Sequence, residues 1–215
     1  MNIGLILSSG EGRRFGGSIP KQYCRLNGKQ IISYSIDAMK NCKDLDEIYV
    51  ICNSCYIEEL EKNYSVKCIE GGATRNESLY NGLRYIKDNH STCDNIFIQE
   101  AARPFITKDV VSQYIQKLQE YDAVITTKKI TDSLGAVDKW YVNRENYFLV
   151  QAPEAFKFEL IYENFDPHSA ITATSQQLPE NSSVYCNYEF RNNMKITYSA
   201  DLQLAEMIMK GEKND

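Results

Sequence analysis

No stretch of this 215-residue chain approaches about 18 consecutive apolar residues, so no membrane-spanning helix is expected. A basic surplus is also missing. Twenty-nine acidic against 24 basic side chains leave a net charge of −5, which argues against a nucleic-acid partner. There is no Pro/Gly/Ser-rich linker, internal repeat or low-complexity tract. The first residues, Met-Asn-Ile-Gly-Leu-Ile-Leu, lack a basic n-region, and their apolar run is too short for a signal peptide. The expected address is therefore cytoplasmic. The seven cysteines are odd in number and scattered, which excludes a disulfide framework. Cys52 and Cys55 have C-x-x-C spacing, but no second pair follows, and His90 and His168 lie far along the chain. They read as ordinary thiols at a strand end.

What remains is an ordinary globular composition, 43% apolar and 25% charged, long enough to bury a sizeable core. Residues 3–7, 47–52 and 95–99 are short apolar runs that predict buried parallel strands, and 121–126 predicts a fourth. Between them, residues 30–41, 76–87 and 108–120 carry apolar side chains at helical spacing. Strands alternating with helices predict an α/β fold, an open and mostly parallel sheet with helices on both faces. Residues 128–150 break the pattern with short alternating segments and predict a hairpin or arm leaving the sheet. A helix near 157–164, a last strand at 194–197 and a helix from about Ala200 complete one domain spanning 1–215.

The first predicted strand runs into Ser8-Ser9-Gly10-Glu11-Gly12-Arg13-Arg14-Phe15-Gly16-Gly17, with Pro20-Lys21 just beyond. Closely spaced glycines permit positive φ and let backbone N–H groups converge on phosphate oxygens. Arg13, Arg14 and Lys21 add full charges at the same place. The bland alternative is a glycine-rich turn with solvated arginines. A dehydrogenase with this spacing wants a tyrosine followed four residues later by lysine, and none of the 15 tyrosines has one. The Gly-Lys-Ser/Thr ending of a P-loop is absent too.

Five ordered segments carry a resemblance. They are Gly10-x-Gly12-x-Arg14 with Pro20-Lys21-Gln22-Tyr23; Gly71-Gly72-Ala73-Thr74-Arg75-Asn76-Glu77-Ser78; Ala101-Ala102-Arg103-Pro104; Gln151-Ala152-Pro153-Glu154; and Asn193-Met194-Lys195-Ile196-Thr197 with Asp201-Leu202. Together they resemble the cytidylyltransferases that act on methylerythritol 4-phosphate and ribitol 5-phosphate. The resemblance spans nearly the whole chain. It implies a Rossmann-like nucleotidyltransferase fold with an extruded β-arm, and transfer of CMP from CTP to a small phosphorylated alcohol with release of pyrophosphate. It implies that Arg14 and Lys21 grip the triphosphate and that Lys195 contacts the α-phosphate. Ser8, Ser9, Gly10, Gly12, Gly72, Ala73, Arg75 and Ser78 would surround the nucleotide. Magnesium would bridge phosphate oxygens, with Glu100 in the place of the family's aspartate. Arg103, Asp132, Ser133 and Arg144 would serve the acceptor, Arg144 across the interface of a homodimer made through the arm.

The departures gather on the acceptor side. Ala152 stands for a threonine, Ala173 for an aspartate and Gly135 for a lysine. The nucleotide half is intact by comparison, so the expected acceptor is a changed one, ribitol 5-phosphate or another polyol phosphate of envelope polysaccharide. Methylerythritol 4-phosphate is the alternative. A non-catalytic CTP-binding relative is the reading from another class, opposed by retention of Arg14, Lys21 and Lys195.

Overall fold

The computed structural model describes residues 1–211; the last four residues of the expected domain lie outside the described residues. The three apolar runs become β1 (Asn2–Leu7), β4 (Glu47–Cys52) and β6 (Asn95–Glu100). A two-stranded hairpin, β2 (Arg25–Leu26) and β3 (Lys29–Gln30), precedes helix α1 (Ile31–Lys40). Helix α2 (Ile57–Tyr64) and strand β5 (Lys67–Glu70) follow β4. Neither was expected. Helix α2 buries only Leu60 and β5 has one fully buried residue, so their sequences carry little apolar periodicity. Then come α3 (Arg75–Asn89), β6, α4 (Lys108–Lys117) and β7 (Ala123–Lys129). Strand β8 (Phe148–Lys157), helix α5 (Phe158–Asn164), strand β9 (Val184–Asn187) and helix α6 (Ser199–Gly211) end the described chain.

Seven strands form one sheet in the order β5-β4-β1-β6-β8-β7-β9. The first four are mutually parallel, while β8 runs antiparallel to both neighbours. The expected mostly parallel α/β fold is therefore present. Two apolar clusters cover the faces. One gathers Ile32, Ile36, Val50, Phe97 and Tyr114 beneath α1 and α4; the other gathers Leu5, Ile51, Leu79, Leu83 and Phe158 beneath α3 and α5. Each fully buried Ile or Leu there contributes about 1.5–3 kcal/mol over an exposed one. On the α3 face, a Cβ at Gly82 would lie 2.5 Å from Ile51 Cδ1, so glycine lets α3 approach β4 closely.

The chain leaves β1 toward β4 on one side and later returns to β6 on the other. This reversal opens a crevice at the carboxyl ends of the strands, the usual ligand position in such sheets. Two expectations need correction. Tyr121 and Asp122 precede β7 rather than start it, because the Asp122 carboxylate accepts hydrogen bonds from the Ser183 N–H and hydroxyl, both at 2.8 Å. Residues 194–197 are not a strand. Ile196 donates its N–H to the Ala102 carbonyl and buries its side chain with Leu26, Ile31, Phe105 and Ala205. The alternation of Met194 and Ile196 thus reports burial against this satellite cluster, not membership of a sheet.

Beyond Lys129 the chain runs out and back to Phe148, where Lys129 pairs with Phe148. Val137 and Trp140 are fully exposed in this segment, and Tyr141 and Leu149 are exposed as well.

Candidate active site

Helix α3 begins where its sequence says it should. Thr74 caps it, its hydroxyl accepting the Glu77 N–H at 3.0 Å, and the Glu77 carboxylate accepts the N–H groups of Thr74 and Ala73 in return. This capping box satisfies otherwise orphaned donors and fixes the Gly71–Thr74 turn. At Gly72 a Cβ would come within 2.5 Å of Glu77 Cβ and 3.0 Å of its backbone, so only glycine fits. Ser78 is fully buried; its hydroxyl accepts the Gly72 N–H at 3.0 Å and donates to the Thr74 carbonyl at 2.7 Å. Ser9 donates to Ser78 Oγ at 2.7 Å, joining this turn to the glycine loop after β1.

Gln22 shapes that glycine loop. Its amide donates to the carbonyls of Ser8 at 2.6 Å and Gly10 at 2.8 Å, folding the loop over itself. Gly12, at φ +69°, lies against the backbone of Lys21. The two loops wall a cavity of about 780 Å³ at the carboxyl end of β1 and β6, large enough for a nucleotide. Ser9, Gly10, Gly12, Arg14, Lys21, Gly72, Ala73, Arg75, Ser78, Glu100 and Lys195 all line it. Ser8 does not: it is buried behind the loop, its hydroxyl donating to the Tyr23 hydroxyl at 3.0 Å.

Charge in the cavity is organised around Glu100, the last residue of β6. Its Oε1 accepts from Lys195 Nζ at 2.9 Å and faces Arg75 Nε at 3.9 Å, while Oε2 accepts from Arg103 Nε at 3.0 Å. Burial by itself would raise this carboxyl's pKa; Lys195, Arg103 and Arg75 outweigh it and hold it at about 2. Lys21 is pushed below the usual lysine range, first by burial and then by the positive charge of Lys195. Lys21, Lys195, Arg14, Arg13 and Arg75 thus line one cavity against two carboxylates, Glu100 and the rim residue Glu11, a positive surplus suited to an anion. Arg13 is exposed and pairs with the exposed Glu11 at 2.9 Å.

Arg103 is buried, and its Nη1 donates to the Asn193 carbonyl at 2.8 Å. It lines a second cavity of about 360 Å³ beside the first. Asp132, Ser133 and Arg144 sit on the exposed arm and line neither cavity of the single chain. The Arg144 guanidinium instead donates to the Thr131 carbonyl and to Glu145. Ala152 is buried and lines neither cavity, and its carbonyl accepts from Asn193 Nδ2 at 2.7 Å. Ala173 precedes a turn in which the Thr174 and Ser175 N–H groups donate to Glu154.

For magnesium the donor set is sparse. Among the described residues no group of three or more His, Cys, Asp or Glu is placed to hold a metal ion. Glu100, ionised and lining the cavity, fits an ion held mostly by phosphates and water through one carboxylate.

Several residues of this site were not anticipated. Glu77 and Thr74 were readable from their spacing, as Thr-x-x-Glu before a helix. Gln22 and Asn193 lay inside quoted motifs, but polar side chains that bond backbone carbonyls leave no mark on a hydropathy pattern. Glu154 is almost fully buried, and its charge faces Arg75 Nη2 at 3.8 Å, a partner far away in sequence.

Comparison with known proteins agrees with this geometry. The family model for 2-C-methyl-D-erythritol 4-phosphate cytidylyltransferase matches residues 3–211. The protein of that name from Thermosipho melanesiensis is 31% identical over 219 residues, covering 95% of this chain and 96% of its own. Its counterpart from Clostridium tetani is 34% identical over 233 residues, covering 99% of this chain and 92% of its own. The crystal structure of 4-diphosphocytidyl-2C-methyl-D-erythritol synthase from Anaerococcus prevotii shares the fold, with a TM-score of 0.83 at 22% identity over 97% of this chain and 96% of that one. These relatives carry the name of the alternative acceptor given above, not of ribitol 5-phosphate.

Proposed function

Because this chain belongs to the 2-C-methyl-D-erythritol 4-phosphate cytidylyltransferase family and is a CTP-dependent cytidylyltransferase, we propose that its acceptor is methylerythritol 4-phosphate. The relatives' names favour that acceptor over ribitol 5-phosphate. The substitutions at Ala152, Ala173 and Gly135 are the observation that keeps a different polyol phosphate as a second reading.

The single observation carrying the mechanism is the convergence of Lys21, Lys195 and Arg14 on one cavity beneath two glycine turns. A phosphate oxygen of the acceptor attacks the α-phosphorus of CTP. The new P–O bond forms as the bond to the β-phosphate bridging oxygen breaks, and pyrophosphate leaves with the electron pair. Two anions must meet, and negative charge grows on the α-phosphate and the leaving group. Fixed cations are the main help a protein can give such a step. Arg14 and Lys21 hold the triphosphate, and Lys195 lies where the α-phosphate meets its attacker. Glu100 braces Lys195 and Arg103 before substrate arrives, so that little reorganisation is needed later. Glu100 would hold magnesium, which would supply further charge neutralisation. Base selection falls to the Gly71–Thr74 turn and Ser9, which Ser78 Oγ ties together. The exposed arm offers the surface for a homodimer, through which Asp132, Ser133 and Arg144 would reach a neighbour's acceptor.

The test is pyrophosphate release with CTP and magnesium across a panel of methylerythritol 4-phosphate, ribitol 5-phosphate and other polyol phosphates, with Lys21→Ala as control. Turnover of methylerythritol 4-phosphate, cut about 10²–10³-fold in the control, is the expected result. Preference for another acceptor would replace the substrate and keep the mechanism. Silence with all of them, while CTP binds, would favour a non-catalytic nucleotide binder.

A further inference from the structure

A charged side chain has no ordinary reason to sit inside a sheet, yet Glu154 does. It lies in β8 opposite Ile98 of β6 and Ile125 of β7 and is only 2% exposed. Burying a carboxylate is costly unless it is bonded and paired. Its Oε1 accepts the Ser175 N–H at 2.9 Å and its Oε2 the Thr174 N–H at 3.3 Å. A neutral glutamine could keep the shorter of these bonds, so the turn after Ala173 does not account for the charge. Arg75 does. Its Nη2 stands 3.8 Å from Glu154 Oε2 and donates to Thr174 Oγ1 at 3.3 Å.

Register explains why Arg75 reaches a second carboxylate as well. Side chains two apart along a strand share a face, so Glu100 points the same way as Ile98 and as Glu154 across from it. Ile98 belongs to the apolar cluster beneath α3, and Arg75 is the first residue of that helix. The guanidinium therefore lies between the two carboxylates, with Nε 3.9 Å from Glu100 Oε1. That same oxygen accepts from Lys195 Nζ at 2.9 Å. Charges alternate from Glu154 through Arg75 and Glu100 to Lys195, and Arg75 and Lys195 compete for one oxygen. With Glu154 holding the Nη2 end of the fork, Arg75 stays at 3.9 Å and leaves Glu100 Oε1 to the lysine. Without that charge, attraction would draw Arg75 onto Oε1 and loosen Lys195.

We propose that Glu154 is a positioning residue for Lys195, acting through Arg75 and Glu100. The inference rests on the cytidylyl-transfer reading above, which places Lys195 at the α-phosphate. Glu154 itself lines neither cavity, so its influence passes through the residues between.

Steady-state kinetics and NMR on the full chain test it. Glu154→Gln should lower kcat about 10-fold while the KM for CTP stays within about 2-fold, because Arg14 and Lys21 still hold the triphosphate. An unchanged kcat overturns the proposal and leaves the transfer reaction standing. In an Arg75→Gln background the same change should alter kcat by less than about 2-fold, since the link is already cut. An equal loss in both backgrounds overturns the proposal too, leaving Glu154 as a tether of the 174–175 backbone. The second arm needs no turnover. In chain made with isotope-labelled lysine, the Lys195 Cε–Hε cross-peak is assigned by its loss in Lys195→Arg. It should move in Glu154→Gln and not respond to that change once Arg75 is replaced. A peak that moves in this way supports the positioning role even if no pyrophosphate is ever released, and a peak that stays in place overturns it. Arg75→Lys keeps a positive charge but cannot fork between two carboxylates. It carries the same cross-peak test if Glu154→Gln does not fold.

Discussion

Replacing Glu100 by glutamine tests the electrostatic core of this site most directly. The carboxylate is held by Lys195, Arg103 and Arg75, and its pKa falls from the ordinary 4.5 to about 2. At about 1.4 kcal/mol per pH unit, that displacement stabilises the folded chain by about 3 kcal/mol at neutral pH. A group with a depressed folded pKa contributes above its unfolded pKa and loses the contribution as pH falls through the folded one. The stabilisation is therefore complete above about pH 5 and disappears near pH 2. Glu100→Gln removes it and leaves Lys195 and Arg103 without a counter-charge, Arg75 keeping Glu154. Urea unfolding of wild type and variant should show a gap of about 3 kcal/mol at pH 7 that shrinks to under half at pH 3. Pyrophosphate, which would take the carboxylate's place among the cations, should close part of the gap at neutral pH. A gap below about 1 kcal/mol at pH 7, or one that does not change with pH, would refute the assignment of Glu100 as the brace of this cluster.

Three further outcomes are expected. Thr74→Ala removes the cap of α3 and should cost about 1 kcal/mol in chemical denaturation, with weaker CTP binding because the Gly71–Thr74 turn loses its anchor. Gly72→Ala places a Cβ 2.5 Å from Glu77 Cβ, so calorimetry should show CTP affinity falling about 10-fold or more; an unchanged affinity would show that the turn relaxes freely. Trp140→Glu puts a charge on the fully exposed tip of the arm. Sedimentation should show a shift from dimer to monomer, and wild-type behaviour in the variant would remove the arm from any interface.

Much of this protein was legible in its sequence because local patterns set it. The runs 47–52 and 95–99 became the inner strands β4 and β6, since a strand covered on both faces is mostly apolar. Helices α1, α3 and α4 followed from one-sided periodicity, with no end shifted by more than three residues. The glycine loop and the ordered motifs pointed to the residues of the first cavity for the same reason: those that line it lie in short contiguous segments. Strand β9 and the short pair α2 and β5 escaped notice because they are half-exposed and polar; pairing with an existing sheet edge holds the two strands, and Leu60 anchors α2. Tertiary structure alone decided which charges meet. Glu100 lies 95 residues from Lys195, and no local rule tells that its carboxylate is spent on Lys195 and Arg103 or that Arg75 is shared with Glu154. Composition and periodicity report how each segment is solvated. Electrostatic partnership depends on distances between segments, and those exist only once the sheet has closed around them.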